Sequence, residues 1–441
     1  MTVSEAPGFA RNTASVLLAR LLSSALDFAG GILVARFLLA QGKGELAAIM
    51  LVCMAAFRIL NLGFGQAIVR LLGAQPEERE AYVGSVGVLW LGWIGAYCLL
   101  MAGATWLLRG DYLLDLDMGA YWIAALAPPL MLLEDVGKGC LRGLMRIATA
   151  ASVAVISSAT RLVALVLLLG IADLGLRGAA AASVVGPLVG AAFAIAALRF
   201  SCGIVPRANL GRLRPLFQLS GSVYLYNMLL FFNFRFDTYL IKIFNGVREL
   251  GLYSASVAVV EALWILPTSA SAVLYATLAQ VDAEPGPANT ARISRIASLV
   301  VALAGLALVI LAGPIFALFG REFSGSIPSF LALLGGVWAM GVASVIAADY
   351  LARGDVLRLV ASAGVALAVN AVSMVVLIPS LGGVGAGLAS TFAYATFLIV
   401  VATWYCREHD LRPRDLLVPS RADLAFVAER VRSLLGMRRG D

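Results

Sequence analysis

The sequence predicts an all-α membrane protein of about twelve transmembrane helices in two six-helix lobes. Of its 441 residues, 61% are hydrophobic and only 13% are charged, and the mean hydropathy is +0.92. Soluble domains carry roughly a quarter of their residues charged, so this composition indicates a protein embedded in lipid. The apolar runs 91–108, 299–319 and 386–405 each approach or exceed the ~20 residues that cross a ~30 Å hydrocarbon core.

The same pattern predicts the individual spans in order. They are 13–36, 46–70, 82–108, 119–141, 147–170, 177–200, 217–243, 250–279, 293–319, 327–352, 357–378 and 384–405. Residues 1–11 lack the basic, apolar and small-residue order of a cleaved signal peptide, so the first span is expected to serve as an uncleaved insertion signal.

Basic residues in the connections predict the orientation. With a cytoplasmic N-terminus, the opposite side carries only Lys43, Arg109, Arg177, Arg248 and Arg321, and the other loops hold most of the lysine and arginine. This bias predicts a bacterial inner-membrane protein with both termini in the cytoplasm. It also accounts for the net charge of +7, and no basic run outside the spans is interleaved with aromatic residues. Nucleic acid is therefore not an expected partner.

An internal repeat predicts the domain organisation. The segments that begin at Gly44 and Gly175 are similar to those that begin at Gly251 and Gly382, each pair 207 positions apart, and 141–146 is similar to 352–358. We expect an N-terminal lobe over 1–200, a cytoplasmic linker over 201–216 and a C-terminal lobe over 217–406. Such repeats normally flank a cavity near the membrane midplane.

The last residues, 407–441, are predicted to be a basic cytoplasmic tail. Ser420 can cap a helix in which the apolar residues between 424 and 435 share one face, as in a helix that lies on the membrane surface. Anchoring is a more natural role for this segment than transport.

Motifs for soluble-enzyme chemistry are absent from the sequence. It has neither a phosphate-loop lysine motif nor a nucleophile elbow with a usable histidine. The five cysteines are scattered mostly through apolar runs and the single histidine is His409, so the sequence predicts no disulfide framework, metal site or other cofactor. The glycines near 186–190 and 383–387 are expected to pack helices. We therefore expect a protein that is not an enzyme.

Ionisable side chains inside the spans are the candidate functional residues, because a charge at the centre of a membrane helix costs on the order of 3 kcal/mol. The predicted cationic cavity is formed by Arg20, Arg58, Arg161 and Arg235. The polar and aromatic residues expected beside it are Asn61, Asn227, Trp264 and Tyr275, and the acids that could balance charge or couple to cations are Asp27, Asp237 and Glu261. Arginine suits phosphate oxygens, and amides and aromatic rings suit sugars. The alternative is that Arg20 with Asp27, and Arg235 with Asp237 and Glu261, form ion pairs that only fix helix packing.

A second charged cluster is predicted near the cytoplasmic ends of the spans. It consists of Asp135, Lys138 and Arg142 in the fourth span and of Asp349 and Arg353 in the tenth. These residues occupy roughly corresponding positions in the two lobes, so salt bridges between the lobes could close a cytoplasmic gate. Pairing within each helix at a spacing of three or four residues is the alternative.

Two stretches of the sequence resemble the polysaccharide flippases of the MOP superfamily, the branch that handles O-antigen, lipopolysaccharide and exopolysaccharide precursors. The first stretch is Leu33-Val-Ala-Arg-Phe-Leu-Leu with Gly42-Lys-Gly-Glu and 62–70, and the second is Asn233-Phe-Arg-Phe-Asp-Thr-Tyr-Leu with 249–254 and Glu261. The resemblance implies two six-helix lobes, alternating access, and flipping of polyprenyl-pyrophosphate-linked oligosaccharides from the cytoplasmic to the periplasmic face. It also suggests coupling to H⁺ or Na⁺ and, as further partners, membrane proteins of polysaccharide assembly.

Three other functions remain open at this point. Multidrug antiporters of the MATE type share the superfamily, but their cationic substrates would favour an acidic cavity. Lipid II flippases usually carry two further helices, for which a tail of 35 residues has no room. A membrane scaffold that transports nothing would tolerate neutralisation of Arg58 and Arg161.

Overall fold

The computed structural model describes residues 7–74, 76–201, 221–264, 287–420 and 423. These residues form α-helices joined by short connections, and no strand occurs among them. The helices up to residue 201 are α1 Pro7–Asn61, α2 Phe64–Ala74, α3 Arg79–Leu108, α4 Met118–Ala124, α5 Ala127–Gly143, α6 Ile147–Leu165 and α7 Gly175–Ala196. Those that follow are α8 Gly221–Leu263, α9 Pro287–Ile310, α10 Ala312–Phe319, α11 Ile327–Arg353, α12 Val356–Glu408 and α13 Pro413–Leu417.

Seven helical stretches in the described residues are long and apolar enough to cross a membrane. Two of them, Leu18–Asn61 and Val356–Glu408, have 44 and 53 residues, about twice the ~20 that one crossing requires. Each of these two contains a sharp bend, so each can supply two crossings. The all-α membrane fold predicted from the sequence is confirmed.

The bends recur at the spacing of the sequence repeat. Within α1, Leu39 has φ 58°, and 207 positions later Gly246 has φ 84° within α8. Gly175, at the start of α7, has φ 53°, and 207 positions later Gly382 has φ 54° within α12. A positive φ interrupts the helical path, so the two halves of the chain change direction at equivalent positions.

The helices α1 and α8 cross at two glycines that are themselves 207 positions apart. A Cβ atom added to Gly44 would lie 1.8 Å from the carbonyl oxygen of Val247, and one added to Gly251 would lie 1.8 Å from that of Ala40. Ala40 and Val247 are also 207 positions apart, so the contact is reciprocal. Only a residue without a side chain allows the two backbones to approach this closely.

The structure differs from the predicted spans in two places. The second span, 46–70, is interrupted because α1 ends at Asn61, Leu62 and Gly63 have φ 44° and 76°, and α2 begins at Phe64. The fourth span, 119–141, is divided into α4 and α5, and α5 begins with proline in its first turn, where the missing N–H is tolerated. The predicted linker, most of the tail and the end of the eighth span lie outside the described residues.

The chain divides into two compact units. One contains Met1–Ala258 with Phe316–Ser326, and the other contains Val259–Ile315 with Ile327–Asp441. In the first unit α6 packs against α1 and α7, and α5 packs against α2 and α7. In the second unit α11 packs against α12 and α9. The lobe boundaries predicted from the sequence remain predictions.

Candidate functional site

A small polar cavity in the first unit contains four of the residues singled out from the sequence. Its volume is about 170 Å³, and it lies where α1 ends, between α2, α5 and the beginning of α8. The eight lining residues are Arg58, Asn61, Gly63, Gly65, Asp135, Tyr224, Asn227 and Met228. Because the helix is interrupted after Asn61, the last turn of α1 and the first turn of α2 both line this cavity.

Arg58 provides the positive charge of this cavity. Its guanidinium lies 5.8 Å from the centroid of the Phe57 ring, and no carboxylate of the described residues lies within the 4.0 Å of an ion pair. Asp135 lines the same cavity without pairing with Arg58. An arginine placed in this way keeps its planar fork available for an anion.

Hydrogen-bond acceptors line the rest of the cavity. The side-chain oxygen of Asn61 is buried and has no hydrogen-bond partner within the described part of the chain. The carboxylate of Asp135 lies against α2, since a Cβ atom on Gly65 would come within 2.7 Å of its Oδ2. Tyr224 donates its hydroxyl proton to the carbonyl oxygen of Ile59 at 2.5 Å, which joins α8 to α1. Buried acceptors without partners are costly and commonly mark the place of a ligand or ordered water.

Arg161 forms an ion pair with an acid of another helix. Its Nη2 lies 3.0 Å from Oδ1 of Asp27 in α1, and both side chains are about half-buried. Arg161 does not line the polar cavity, so the structure does not bring it together with Arg58. Arg20, the alternative partner of Asp27 in the sequence, lies exposed in α1 and also outside the cavity.

Arg235 and Asp237 occupy a different place on α8. Arg235 lines an apolar cleft rather than the polar cavity. Asp237 is buried and accepts hydrogen bonds from the hydroxyl of Tyr253 at 2.5 Å, and from the backbone and the hydroxyl of Thr238 at 2.6 and 3.1 Å. This network fixes the two parts of α8 on either side of its bend.

The remaining predicted cavity residues belong to the second unit. Glu261 lies in the last turn of α8 and Trp264 directly follows its end, and the centroid of the Trp264 ring lies 6.2 Å from that of the Tyr394 ring. Tyr275 lies outside the described residues. Neither Glu261 nor Trp264 is among the residues that line the polar cavity.

The predicted gate residues make contacts within their own helices and units. Lys138 pairs with Glu134 at 2.9 Å, one turn before it, and Arg142 donates to the backbone oxygen of Lys138 at 3.3 Å. Arg353 pairs with Asp349 at 3.1 Å and with Glu408 at 2.6 Å. The pairs Lys138–Glu134 and Arg353–Asp349 have the local spacing of four residues, whereas Arg353–Glu408 joins α11 to α12. Asp135 lines the polar cavity. A gate between the lobes remains a prediction.

Glu134 was missed in the sequence, although it lies beside Asp135. It is buried, pairs with Lys138 and accepts a hydrogen bond from Ser157 of α6 at 2.9 Å. The spacing of four residues between Glu134 and Lys138 was the available signal. Glu322 was missed as well. Its Oε1 accepts a hydrogen bond at 2.6 Å from the backbone N–H of Ala40, next to the bend at Leu39.

Comparison with known proteins gives both a family match and a fold match. The family model described as "Polysaccharide biosynthesis protein" matches residues 9–282. No curated protein sequence matches the chain.

Among solved structures, an inward-facing multidrug resistance MATE family transporter of the MOP superfamily has a TM-score of 0.73 at 14% identity, covering 88% of this chain and 94% of that one. The lipid II flippase MurJ in an inward closed conformation has a TM-score of 0.71 at 12% identity, covering 97% and 93%. A MOP superfamily transporter from Pyrococcus furiosus has a TM-score of 0.62 at 16% identity, covering 91% and 95%. These structures share the fold with this chain.

Proposed function

The chain belongs to the polysaccharide biosynthesis protein family, and from this premise we propose that it flips a polyprenyl-pyrophosphate-linked oligosaccharide across the bacterial inner membrane. The substrate would enter from the cytoplasmic leaflet and leave on the periplasmic side by alternating access of two lobes. The membrane fold and its similarity to the MOP transporters support this proposal. The polar cavity contains the groups that would bind the headgroup of the substrate.

The observation that carries the proposal is the arrangement of one cation and several acceptors in one cavity. Arg58 has no carboxylate partner within ion-pair distance in the described chain, and its fork matches the oxygens of a phosphate. Asn61 and Asp135 present acceptor oxygens, to which sugar hydroxyls donate. A phosphorylated saccharide offers an anion and several hydroxyl donors within a few ångströms, so it satisfies both kinds of group.

Ion coupling is part of the same proposal. We assign Asp27, Asp237 and Glu261 as candidates for the binding of H⁺ or Na⁺, because carboxylates in membrane spans commonly mark ion pathways. Asp27 is engaged by Arg161 and Asp237 by Tyr253, so an arriving ion would compete with those contacts. If flipping is coupled to an ion gradient, an ionophore that collapses this gradient should lower the rate of flipping.

The test is a flipping assay in proteoliposomes that contain a labelled polyprenyl-pyrophosphate saccharide. We expect Arg58→Ala to slow flipping by about tenfold or more, since a hydrogen bond to a charged group contributes about 1.5–3 kcal/mol. Arg58→Lys keeps the charge without the fork and should fall between Ala and wild type. Arg146→Ala, which removes an exposed arginine outside the cavity, is the matched control. Flipping that Arg58→Ala leaves intact would remove this cavity from the mechanism.

Asp135 gives one reason to keep a multidrug antiporter as a second candidate. Its carboxylate makes no ion pair within 4.0 Å among the described residues and faces the same cavity, so it could attract a cationic drug. Under that function, Asp135→Asn would abolish the efflux of cationic dyes, and no saccharide lipid would be flipped. Under the proposed function, Asp135→Asn should weaken flipping modestly, and dye efflux should be absent in wild type as well.

A further inference from the structure

An apolar cleft adjoins the polar cavity within the first unit. It lies between α1, α3 and α8, and its volume is about 270 Å³. Thirteen residues line it, eleven of which present only hydrocarbon, and Arg235 is the charged residue among them. An apolar cavity of about 150 Å³ already holds benzene, so this cleft has room for a segment of a hydrocarbon chain.

The cleft and the polar cavity are lined by consecutive turns of the same helix. On α8, Asn227 and Met228 line the cavity, and Phe231, Phe232 and Arg235 line the cleft. These residues recur every three or four positions and therefore share one face of the helix. At 1.5 Å per residue, Asn227 and Arg235 are about 12 Å apart along the axis.

The same continuity holds on α1. Ile59 lines the cleft and the adjacent Arg58 lines the cavity. The carbonyl oxygen of Ile59 accepts the hydrogen bond from Tyr224, so α1 and α8 are held together where the two spaces meet. Along α1 and α8, the polar cavity therefore continues into the apolar cleft. An amphiphile, with one polar and one apolar end, requires two adjoining spaces of this kind.

Two cations flank this junction. Arg58 lines the cavity, the adjacent Ile59 lines the cleft, and Arg235 lines the cleft as well. Like charges repel, more strongly within a membrane than in water. A phosphate group held between the two guanidinium groups would convert that repulsion into two attractive contacts.

We infer that the cleft binds the isoprenoid chain of a polyprenyl phosphate, with the phosphate held between Arg58 and Arg235 and the first sugar in the polar cavity. This inference rests on the proposed function and deepens it. The positive charge of Arg58 and Arg235 favours a lipid with a phosphate group. The acceptors of the adjoining polar cavity favour a lipid whose headgroup also carries sugar hydroxyls. The walls of the cleft combine alanines, including Ala56 and Ala104, with phenylalanines, and this hydrocarbon lining suits an isoprenoid chain.

The first experiment fills the cleft without touching either arginine. Ala104→Leu adds three carbon atoms to its wall, and Ala102→Leu adds the same atoms to an exposed position of α3 that does not line it. Both variants are tested in the flipping assay with long-chain and short-chain saccharide lipids. We expect Ala104→Leu to slow flipping of the long-chain substrate by about tenfold, equivalent to about 1.4 kcal/mol of lost binding, and to affect the short-chain substrate less. Equal rates for both variants with both substrates would overturn the inference.

A second experiment tests binding independently of flipping. Wild-type protein is labelled with a polyprenyl phosphate that carries a diazirine on its chain and no sugar. The labelled peptides should contain 51–59 or 231–239, unlabelled polyprenyl phosphate should compete, and phosphatidylglycerol should not. Labelling at other segments, or equal competition by phosphatidylglycerol, would overturn the inference even if flipping is intact. Labelling at these segments without any flipping would instead refute the proposed function and leave the chain-binding cleft supported.

Discussion

Asp27 and Arg161 illustrate what a single membrane charge needs from the rest of the chain. They belong to different helices and meet at 3.0 Å across α1 and α6. Their exposed side-chain fractions, 47% and 37%, place the pair between a buried and a surface salt bridge. Loss of one partner leaves the other charged within a span, and this penalty exceeds the attraction that is lost.

A double-mutant cycle tests this pair. We expect Asp27→Asn and Arg161→Met each to lower the thermal stability of the purified protein, and the double variant to recover part of the loss. For a half-exposed pair the coupling should be about 1 kcal/mol. Thermal unfolding in detergent measures it, and parallel flipping assays show whether the double variant also recovers transport. Additive losses would mean that the pair does not act as a unit.

Arg58 shows the opposite situation, because no carboxylate of the described residues lies within ion-pair distance of it. Asp135 lines the same polar cavity without forming an ion pair with Arg58. Two charges of opposite sign that do not collapse onto each other can both serve a third group. At the scale of single residues, the cavity is therefore suited to a ligand with both anionic and hydroxyl groups.

Among the helices, α1 and α8 depend most on a few special residues. Each bends at a positive φ, at Leu39 and at Gly246, and each contributes a glycine to their crossing. Glu322 accepts the hydrogen bond of the Ala40 N–H beside the first bend, which satisfies a backbone donor there.

The crossing gives a prediction for the glycines. Gly44→Ala and Gly251→Ala should each prevent accumulation of folded protein, because the new Cβ would lie 1.8 Å from a backbone oxygen and no rotamer change can relieve the clash. Milder overpacking already costs about 1–3 kcal/mol. Gly95→Ala, in α3 with no atom within 4 Å of the added Cβ, is the control. Size-exclusion chromatography of fluorescently tagged variants measures the outcome, and a normal monodisperse peak for Gly44→Ala would contradict the crossing.

The beginning of the tail is also fixed by specific contacts. Ser420 and Asp423 form reciprocal hydrogen bonds, with the backbone N–H of Asp423 donating to Oγ of Ser420 and that of Ser420 donating to Oδ2 of Asp423. This is the pattern of a helix cap, as expected for Ser420. Arg295 donates to the same carboxylate at 2.7 Å, which ties the cap to α9.

Asp423 gives a prediction with a defined pH range. The hydrogen bond from Arg295, assisted by Ser420, lowers the pKa of Asp423 from 3.8 to about 2. Because the pKa is lower in the folded protein, the stabilisation is fully present above about pH 4 and is lost as the pH falls through about 2. Asp423→Asn should therefore lower the unfolding temperature near neutral pH, and its difference from wild type should vanish towards pH 2. Asp410→Asn, at an exposed position, is the control. A difference independent of pH would contradict the assignment.

For the molecule as a whole, the basic residues predict the orientation. Few lysines and arginines fall on one side of the predicted spans, and the tail adds several more to the other side. We expect a C-terminal fusion to green fluorescent protein to fluoresce and one to alkaline phosphatase to be inactive. Fusions placed after Arg109 or Arg248 should give the reverse pattern. An active phosphatase at the C-terminus would invert the proposed direction of flipping.

The sequence by itself determined the features that depend only on residues close together along the chain or on a regular spacing, namely the membrane spans and the internal repeat. Hydropathy over about twenty residues gave most of the spans, and the spacing of 207 between Gly44 and Gly251 reappears in the backbone as paired bends and a reciprocal crossing. These properties depend on neighbours along the chain, so they can be recognised without knowledge of the packing.

Only the tertiary structure decided which charged residues meet. Arg161 finds Asp27, 134 positions earlier, Lys138 finds Glu134 rather than Asp135, and Arg58 shares a cavity with Asp135 and with Asn227 of a distant helix. A span can be recognised from its own composition, but the partner of an arginine depends on which helix faces it and at what height. A rotation of 100° about the helix axis separates Glu134 from Asp135, and packing against α6 and α2 directs one towards Ser157 and the other into the polar cavity.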